Sequence, residues 1–466
     1  MTNPSQLIAA VQAKLGPKAA ITDPREVEPW LTDWRGRYHG QAAGILAPAT
    51  TEEVAAMVGL AAQHQVPLVP QGGNTGMVAG ATPPENGSAL ILSLRRMNRL
   101  RSISAEANAA VAEAGMILAD LHDRAAEVGR RFPLTLGSRG SCTIGGLVAT
   151  NAGGTQVLRF GTMRSLVAGV EAVLPDGSIH DGLTALKKDN RGYSLDHLLI
   201  GSEGTLGIIT AAALKLVPAV AARAVAWAGV ADPQAALDLL RRLQSESDSV
   251  EGFEIVPASS LDLVLQHIPG TRNPLQGKHR WHVLIEATSA DPSEPPSAEL
   301  ERMLSEALEQ GRIEDAAIAS SEAQAEAFWR IRDSISEAER ASGGSIAHDI
   351  SVPVDDMPRF MVAAAAELEQ AFPGVEASAF GHLGDGNVHF HVRLGSRSAD
   401  ETPAISRLVH NLVTAAGGSL SAEHGIGQMK LDEFERLAPP GRIAAMKAIK
   451  HALDPQGLMN PGKLVR

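Results

Sequence analysis

The chain has a single cysteine, Cys142, in 466 residues. That excludes an internal disulfide and any all-cysteine iron–sulfur centre, and it suits a reducing compartment. Positive charge is also short: 41 Lys and Arg face 53 Asp and Glu, a formal net charge of −12. Non-specific nucleic-acid binding, which runs on phosphate neutralisation, is therefore disfavoured. No stretch approaches the roughly 20 uninterrupted apolar residues of a membrane span. The N-terminus, Met1 to Gly16, has the pattern of an amphipathic helix and no apolar signal core. A cytosolic location is expected, with a peripheral membrane contact left open. Neither an internal repeat nor a low-complexity tract is evident.

What is present is a globular composition, 44% hydrophobic and 20% charged, on a chain long enough for two or three packed units. The first half alternates helix and strand signals. Thr50-Thr51-Glu52-Glu53 is a candidate capping box ahead of Val54, Met57, Val58 and Ala61 at helical spacing. Strands are expected at Pro67–Pro70, Ala89–Leu94, Ala107–Ala114 and Val167–Leu174, and a helix over Ile117–Val128 that stops at Gly129. After Ala221 the pattern changes. Val225–Val230, His282–Ala287, Ala316–Ala319 and His389–Leu394 read as strands. Pro233–Gln244, Ala298–Gln310, Ser321–Ala341 and Met357–Ala371 read as helices. This predicts a second sheet-based domain with helices on one face, overhung by the loop His267–Arg280. Two helical patterns and Asn460-Pro461-Gly462-Lys463 end the chain.

Three glycine clusters sit at strand ends. The first is Gln71-Gly72-Gly73-Asn74-Thr75-Gly76. The second runs from Leu136 to Gly154, and the third is Gly201-Ser202-Glu203-Gly204-Thr205-Leu206-Gly207-Ile208-Ile209-Thr210. The first matches neither a Walker loop nor the dinucleotide fingerprint. Any one of them alone reads as a tight turn. Three in order, free of bulky side chains, fit a long ligand lying against the backbone, with N–H groups turned toward a diphosphate.

Together these segments resemble the FAD-binding segments of the vanillyl-alcohol oxidase and p-cresol methylhydroxylase flavoproteins. The resemblance runs to Asn460 and covers nearly the whole chain. Within that superfamily the pattern is most similar to the D-lactate and D-2-hydroxyglutarate dehydrogenase group. It implies an α+β chain: a two-part FAD-binding domain over 1–220, an α+β substrate (cap) domain with an antiparallel sheet over 221–425, and a C-terminal helical segment over 426–466 returning to the FAD domain. It further implies that Pro70, Gly72, Gly73, Asn74, Thr75, Gly76 and Met77 hold the pyrophosphate region. Gly137, Ser138, Ser141, Cys142, Gly145, Gly146, Ala149, Thr150 and Asn151 would line the ribityl chain and ring. Gly207, Ile208 and Ile209 would flank the adenine half, and Asn460 completes the set. No histidine lies between His64 and His122, so the FAD is expected to be non-covalent. Cys142 reads as a buried structural cysteine rather than a thioether anchor.

The segment Gly381-His382-Leu383-Gly384-Asp385-Gly386-Asn387-Val388-His389-Phe390-His391 carries the second signal. On a strand, His389 and His391 project to one face, and the glycine-bearing turn can fold His382 back beside them. Farther on, Glu423-His424 places an acid beside a base. Two imidazoles and a carboxylate suit Zn²⁺ or a similar catalytic divalent ion. The other reading is a set of core histidines satisfied by backbone carbonyls, with Glu423 on a solvated turn. The family resemblance implies His382, His389 and Glu423 as metal ligands and His424 as general base. Arg332 and Ser336 are four apart on an expected helix. They read either as a carboxylate clamp or as a charged outer face, and the resemblance implies substrate-carboxylate contacts.

Two positions depart from the 2-hydroxyglutarate pattern. Ala347 stands where a lysine is usual, and His391 where an asparagine is usual; a protonated His391, Arg272 or Lys278 are candidate compensations. The implied activity is FAD-dependent oxidation of a D-2-hydroxy acid to the 2-oxo acid. D-2-hydroxyglutarate leads and D-lactate or another D-2-hydroxy acid follows. Electrons would pass to electron-transfer flavoprotein or a quinone, and a homodimer is one assembly open to the chain. The competing classes are an O₂-using oxidase, a metallohydrolase built on the histidine cluster, and a non-catalytic flavin-binding module.

Overall fold

Thr50 begins the first long helix, Thr51–His64, by accepting a hydrogen bond from Glu53 N. Glu53 reaches back to Ala49 N at 2.7 Å, a reciprocal cap that satisfies two otherwise orphaned donors. The buried stripe Val54, Met57, Val58 and Ala61 then packs onto strands of the first sheet. In this computed structural model, residues 3–184, 186, 188–395 and 397–466 are described. The N-terminal helix spans Pro4–Leu15, with Met1 and Thr2 outside the described residues.

The chain divides into two units. One comprises Met1–Gly154, Phe160–Ala219 and Glu423–Arg466, and the other Thr155–Arg159 and Val220–Ala422. The first contains a four-stranded sheet in the order Ala20–Ile21, Ile45–Leu46, Leu90–Ser93, Leu68–Gln71, whose last three strands run parallel. It also holds a five-stranded antiparallel sheet ordered Leu100–Ser104, Ala109–Glu113, Ile208–Lys215, Val167–Val173, Ile179–Asp181. The C-terminal segment brings the helices Leu431–Leu437 and Pro440–Leu453. It ends beside the strand Leu68–Gln71: Leu68 N donates to Leu458 O and Asn460 N to Leu68 O, both at 2.8 Å.

The second unit is built on a seven-stranded antiparallel sheet. Its order is Asp315–Ile318, Ala222–Val230, Trp281–Ser289, Val250–Pro257, Glu376–His382, Asn387–Arg393, Ile346–Ser351. Helices cover both faces, not one as the sequence pattern suggests. Ala224, Ala226, Ala228 and Val230 belong to one apolar cluster with the helices Pro233–Glu246, Pro296–Glu309 and Met357–Ala371. Val225 and Trp227, on the alternate positions, belong to another with Ala258–His267, Glu322–Asp333 and Ile335–Ala341. A strand buried on both faces loses its polar alternation, and that hides the second layer from a periodicity reading.

Two further expectations change. The helix expected over Ser321–Ala341 is two helices, Glu322–Asp333 and Ile335–Ala341. They meet at Ser334, whose φ −86°, ψ 0° ends one and opens the next, in keeping with the preference of serine for helix ends. Three strands of the second unit absent from the sequence reading are Val250–Pro257, Ile346–Ser351 and Glu376–His382. Each carries acids, histidines or small residues where an apolar pattern would be needed to reveal it. Among the described residues no helix is long and apolar enough to cross a membrane.

Inside the second unit, buried Trp227 donates from Nε1 to His282 Nδ1 at 3.1 Å. Burial, then the neighbouring His279, pushes the His282 imidazole down to about 4. Its folded value lies below the unfolded one, so its contribution is complete above about pH 6.5 and is lost as pH falls toward 4. We expect thermal unfolding to show an acid-side loss on the order of 3 kcal/mol from this group. His282→Gln should flatten that part of the stability profile between pH 6.5 and 4; an unchanged profile would refute the assignment.

Candidate active site

In the first unit, loops at the ends of strands converge on a partly open cavity. Its wall comes from all three glycine clusters. Pro70, Gly72, Gly73, Asn74, Thr75 and Gly76 line it from the first, Cys142, Gly145, Gly146, Ala149 and Thr150 from the second, and Gly207, Ile208 and Ile209 from the third. His424 lines it as well. Glycine is required by close approach at two points: a Cβ on Gly73 would lie 1.9 Å from the Ser141 carbonyl oxygen, and one on Gly72 2.2 Å from Thr143 Oγ1. Among the described residues the Thr143 hydroxyl and Gln71 Oε1 are buried without a protein partner, as donors and acceptors meant for a ligand would be. A glycine-rich slot with orphaned polar atoms fits an extended dinucleotide such as FAD.

Other expected cofactor residues do not reach this wall. Met77 and Gly137 are absent from it. The Ser138 carbonyl accepts from Ser141 N and Cys142 N, and the Ser141 carbonyl backs Gly73. Asn151, in a left-handed conformation at the end of the helix Ile144–Thr150, receives Thr162 Oγ1 and Arg164 N on its Oδ1. Asn460 Nδ2 donates to Gly80 O at 2.9 Å and Glu203 O at 2.7 Å. These residues shape the loops from behind. Burial raises the Cys142 thiol, which keeps it protonated and inert.

Glu203 is a site residue the sequence reading passed over. Its carboxylate is buried and accepts from Ile426 N and Gly427 N, each at 2.7 Å. It thereby holds the turn that follows His424. Burial raises its pKa against the pull of those N–H groups and of Lys430 and Lys463; burial also lowers Lys463 to about 8. The only sequence signal was an acid inside a glycine cluster.

In the second unit, the strands Glu376–His382 and Asn387–Arg393 form a hairpin in which Phe380 faces His389 and Ser378 faces His391. Its turn folds His382 back, and the rings of His382 and His389 lie 5.4 Å apart at an interplanar angle of 74°. On the neighbouring strand Glu254 pairs with His382. Its Oε1 meets His382 Nδ1 at 2.5 Å, and its Oε2 accepts from Arg332 Nε at 2.7 Å. Burial opposes ionisation of Glu254, but the adjoining His382 and Arg332 outweigh it and hold the carboxyl well below its usual range. Burial, then the neighbouring Arg332 and His382, pushes His389 well below the ordinary imidazole value. It is therefore a neutral donor at physiological pH, as a metal ligand must be. Asp349 stands opposite His389 in the register, with His389 Nδ1 3.9 Å from its Oδ1 and Asn387 Nδ2 at 2.9 Å.

His391 lies on the same face, but its Nδ1 is bound by buried Glu339, which also accepts from Ser345 Oγ at 3.1 Å. Directly across from His391 is Ala347. Arg332 is half-buried with its guanidinium carbon 5.3 Å from the Phe380 ring, whereas Ser336, beyond the helix break, is exposed. The second unit thus brings Arg332, His382, His389 and His391 to one sheet face. Glu423 and His424 belong to the first unit, where both are half-buried. Glu254 and Glu339 were missed; for Glu254 the available signal was an acid between Phe253 and Ile255.

A dinucleotide slot and an imidazole–guanidinium face, on an α+β frame, define a flavin-dependent oxidoreductase. The comparisons agree. Residues 220–464 match the model of the FAD linked oxidases, C-terminal domain, and residues 42–182 that of an FAD binding domain. The chain belongs to the FAD-linked oxidase family. It is 36% identical over 452 residues to a mitochondrial D-2-hydroxyglutarate dehydrogenase of Arabidopsis thaliana, covering 97% of this chain and 80% of the relative. It is 35% identical to the D-2-hydroxyglutarate dehydrogenase of Xanthomonas citri pv. viticola, covering 100% and 97%. In fold it is similar to substrate-bound p-cresol methylhydroxylase, with a TM-score of 0.73 at 15% identity over 98% of this chain and 96% of the other.

If the slot is the FAD site, Gly73→Ala should abolish flavin retention, because the methyl group has backbone rather than a movable side chain in its way. The flavin-to-protein absorbance ratio after purification reads this directly; a yellow Gly73→Ala protein would exclude the placement.

Proposed function

We propose that the chain oxidises a D-2-hydroxy acid to its 2-oxo acid with bound FAD, and that D-2-hydroxyglutarate is the substrate. The observation that carries this is the second unit's sheet face. There a guanidinium held by a buried carboxylate stands with two imidazoles, one of them neutral. The names of the Arabidopsis and Xanthomonas relatives support the substrate.

Each residue then has a task. Arg332 uses Nη1 and Nη2 to clamp a carboxylate, with Ser336 and His391 as the further substrate contacts. His382, His389 and Glu423 hold a divalent ion, for which Zn²⁺ suits the donor set. Such an ion supplies Lewis acidity to the substrate hydroxyl, which is far too weak an acid alone. FAD supplies the hydride acceptor. His424, on the flavin cavity wall, accepts the hydroxyl proton as the Cα hydrogen departs as hydride. Electrons leave for a separate carrier such as electron-transfer flavoprotein or a quinone.

A second reading, D-lactate or another acid without a second carboxylate, is favoured by the Glu339–His391 pair. A protonated His391 would be offset by Glu339, so the pair brings no surplus cation, and Ala347 brings none.

Anaerobic mixing with D- and L-2-hydroxy acids, followed by flavin absorbance, separates these. D-2-hydroxyglutarate should bleach the flavin fastest. A faster D-lactate would select the second reading, and no bleaching by any hydroxy acid would leave only a binding module. His424→Ala should slow reduction by about 10²–10⁴-fold, the usual share of a general base, and chelation should slow it as well. An unchanged rate after chelation would remove the metal from the scheme. Arg332→Lys keeps the charge beside Glu254 but loses the fork, so KM should rise by more than about tenfold with a smaller change in kcat.

A further inference from the structure

Glu254 sits where a carboxylate is costly. It occupies a central strand between Phe253 and Ile255 with no solvent exposure, and an apolar side chain of similar size would serve the fold at least as well. Both of its oxygens are used, and by residues with different tasks: Oε1 meets His382 Nδ1, and Oε2 meets Arg332 Nε. Accepting from Nδ1–H sets the imidazole tautomer and makes Nε2 the ligand atom. Accepting from Nε–H fixes the plane of the guanidinium and leaves Nη1 and Nη2, which bond no other described residue, for a ligand carboxylate.

We propose that Glu254 is a positioning residue that aligns the metal-ligating imidazole and the carboxylate-binding guanidinium with one carboxylate, so that metal affinity and substrate affinity depend on it together. This rests on the function proposed above for His382 and Arg332. Only a carboxylate can accept from both partners. In glutamine one position becomes an N–H: opposite Arg332 Nε–H it cannot bond, and opposite His382 Nδ1 it selects the tautomer protonated at Nε2, which removes the ligand atom.

The test uses the full-length, FAD-loaded protein. Metal is removed, Zn²⁺ is returned against a chromophoric chelator, and kcat and KM for flavin reduction by D-2-hydroxyglutarate are measured on the reloaded protein. Glu254→Gln should weaken Zn²⁺ about 10–100-fold, the range found when outer-shell partners of metal ligands are replaced, and should raise KM. Glu251→Gln is the comparison, since Glu251 is a buried carboxylate on the same strand that accepts from Thr288 Oγ1 at 2.7 Å. A general loss of stability would lower Zn²⁺ affinity in both variants alike, and that result would overturn the proposal. So would wild-type Zn²⁺ affinity in a flavin-loaded Glu254→Gln protein. If Glu254→Gln does not fold, Glu254→Asp replaces it. The shorter carboxylate cannot span both partners, so it should weaken Zn²⁺ or raise KM, and an unchanged pair of values would again overturn the proposal. Wild-type protein that binds no Zn²⁺ refutes the metal reading of the function itself, an outcome distinct from equal binding by wild type and variant.

Discussion

A sheet covered by helices on both faces has no water to spare for a charge, so every ionised group placed on it must bring its partner. The second unit is arranged around that constraint. On one face its strands present alanine, valine, isoleucine and phenylalanine to helices packed against them. On the other, Glu254 is bound by Arg332 and His382, Glu339 by His391 and Ser345, and Asp349 by Asn387. These pairings fix side chains that would otherwise sample several rotamers. That rigidity is what a binding array requires, since a misplaced donor loses most of its value.

The first unit meets a different demand, close approach of backbone to ligand. Glycines 72 and 73 press against Thr143 and Ser141, and the resulting slot draws its glycines from all three clusters. The same unit is closed by the end of the chain. Glu203 accepts two backbone N–H groups just after His424, Asn460 reaches Gly80 and Glu203, and Lys450 joins Asp454 to the Thr205 and Met459 carbonyls. These bonds fix the turn after His424, and Glu203 and Gly80 share the cavity lining with it.

Legibility followed from how each feature is encoded. The glycine clusters, the histidine hairpin and most long helices are local patterns, with spacing and caps that lie within one short segment. Glu254 and Glu339 are far in sequence from His382 and His391, and nothing adjacent to either acid marks it as a partner. The strands Val250–Pro257, Ile346–Ser351 and Glu376–His382 were hidden because polar groups occupy positions where apolar residues would have revealed them. The helix break at Ser334 was hidden as well, and it separates Ser336 from the regular i, i+4 relation to Arg332 that the sequence suggested.

By itself, then, the sequence determined which residue types were available: the absence of a cysteine framework, three flexible glycine segments, and histidines clustered near a turn. Each is a property of neighbouring residues, governed by local backbone freedom and side-chain chemistry. Tertiary structure alone decided which acid meets which base. Burying a charge forces it to find a partner across the sheet, and register and packing, not chain order, determine what stands opposite.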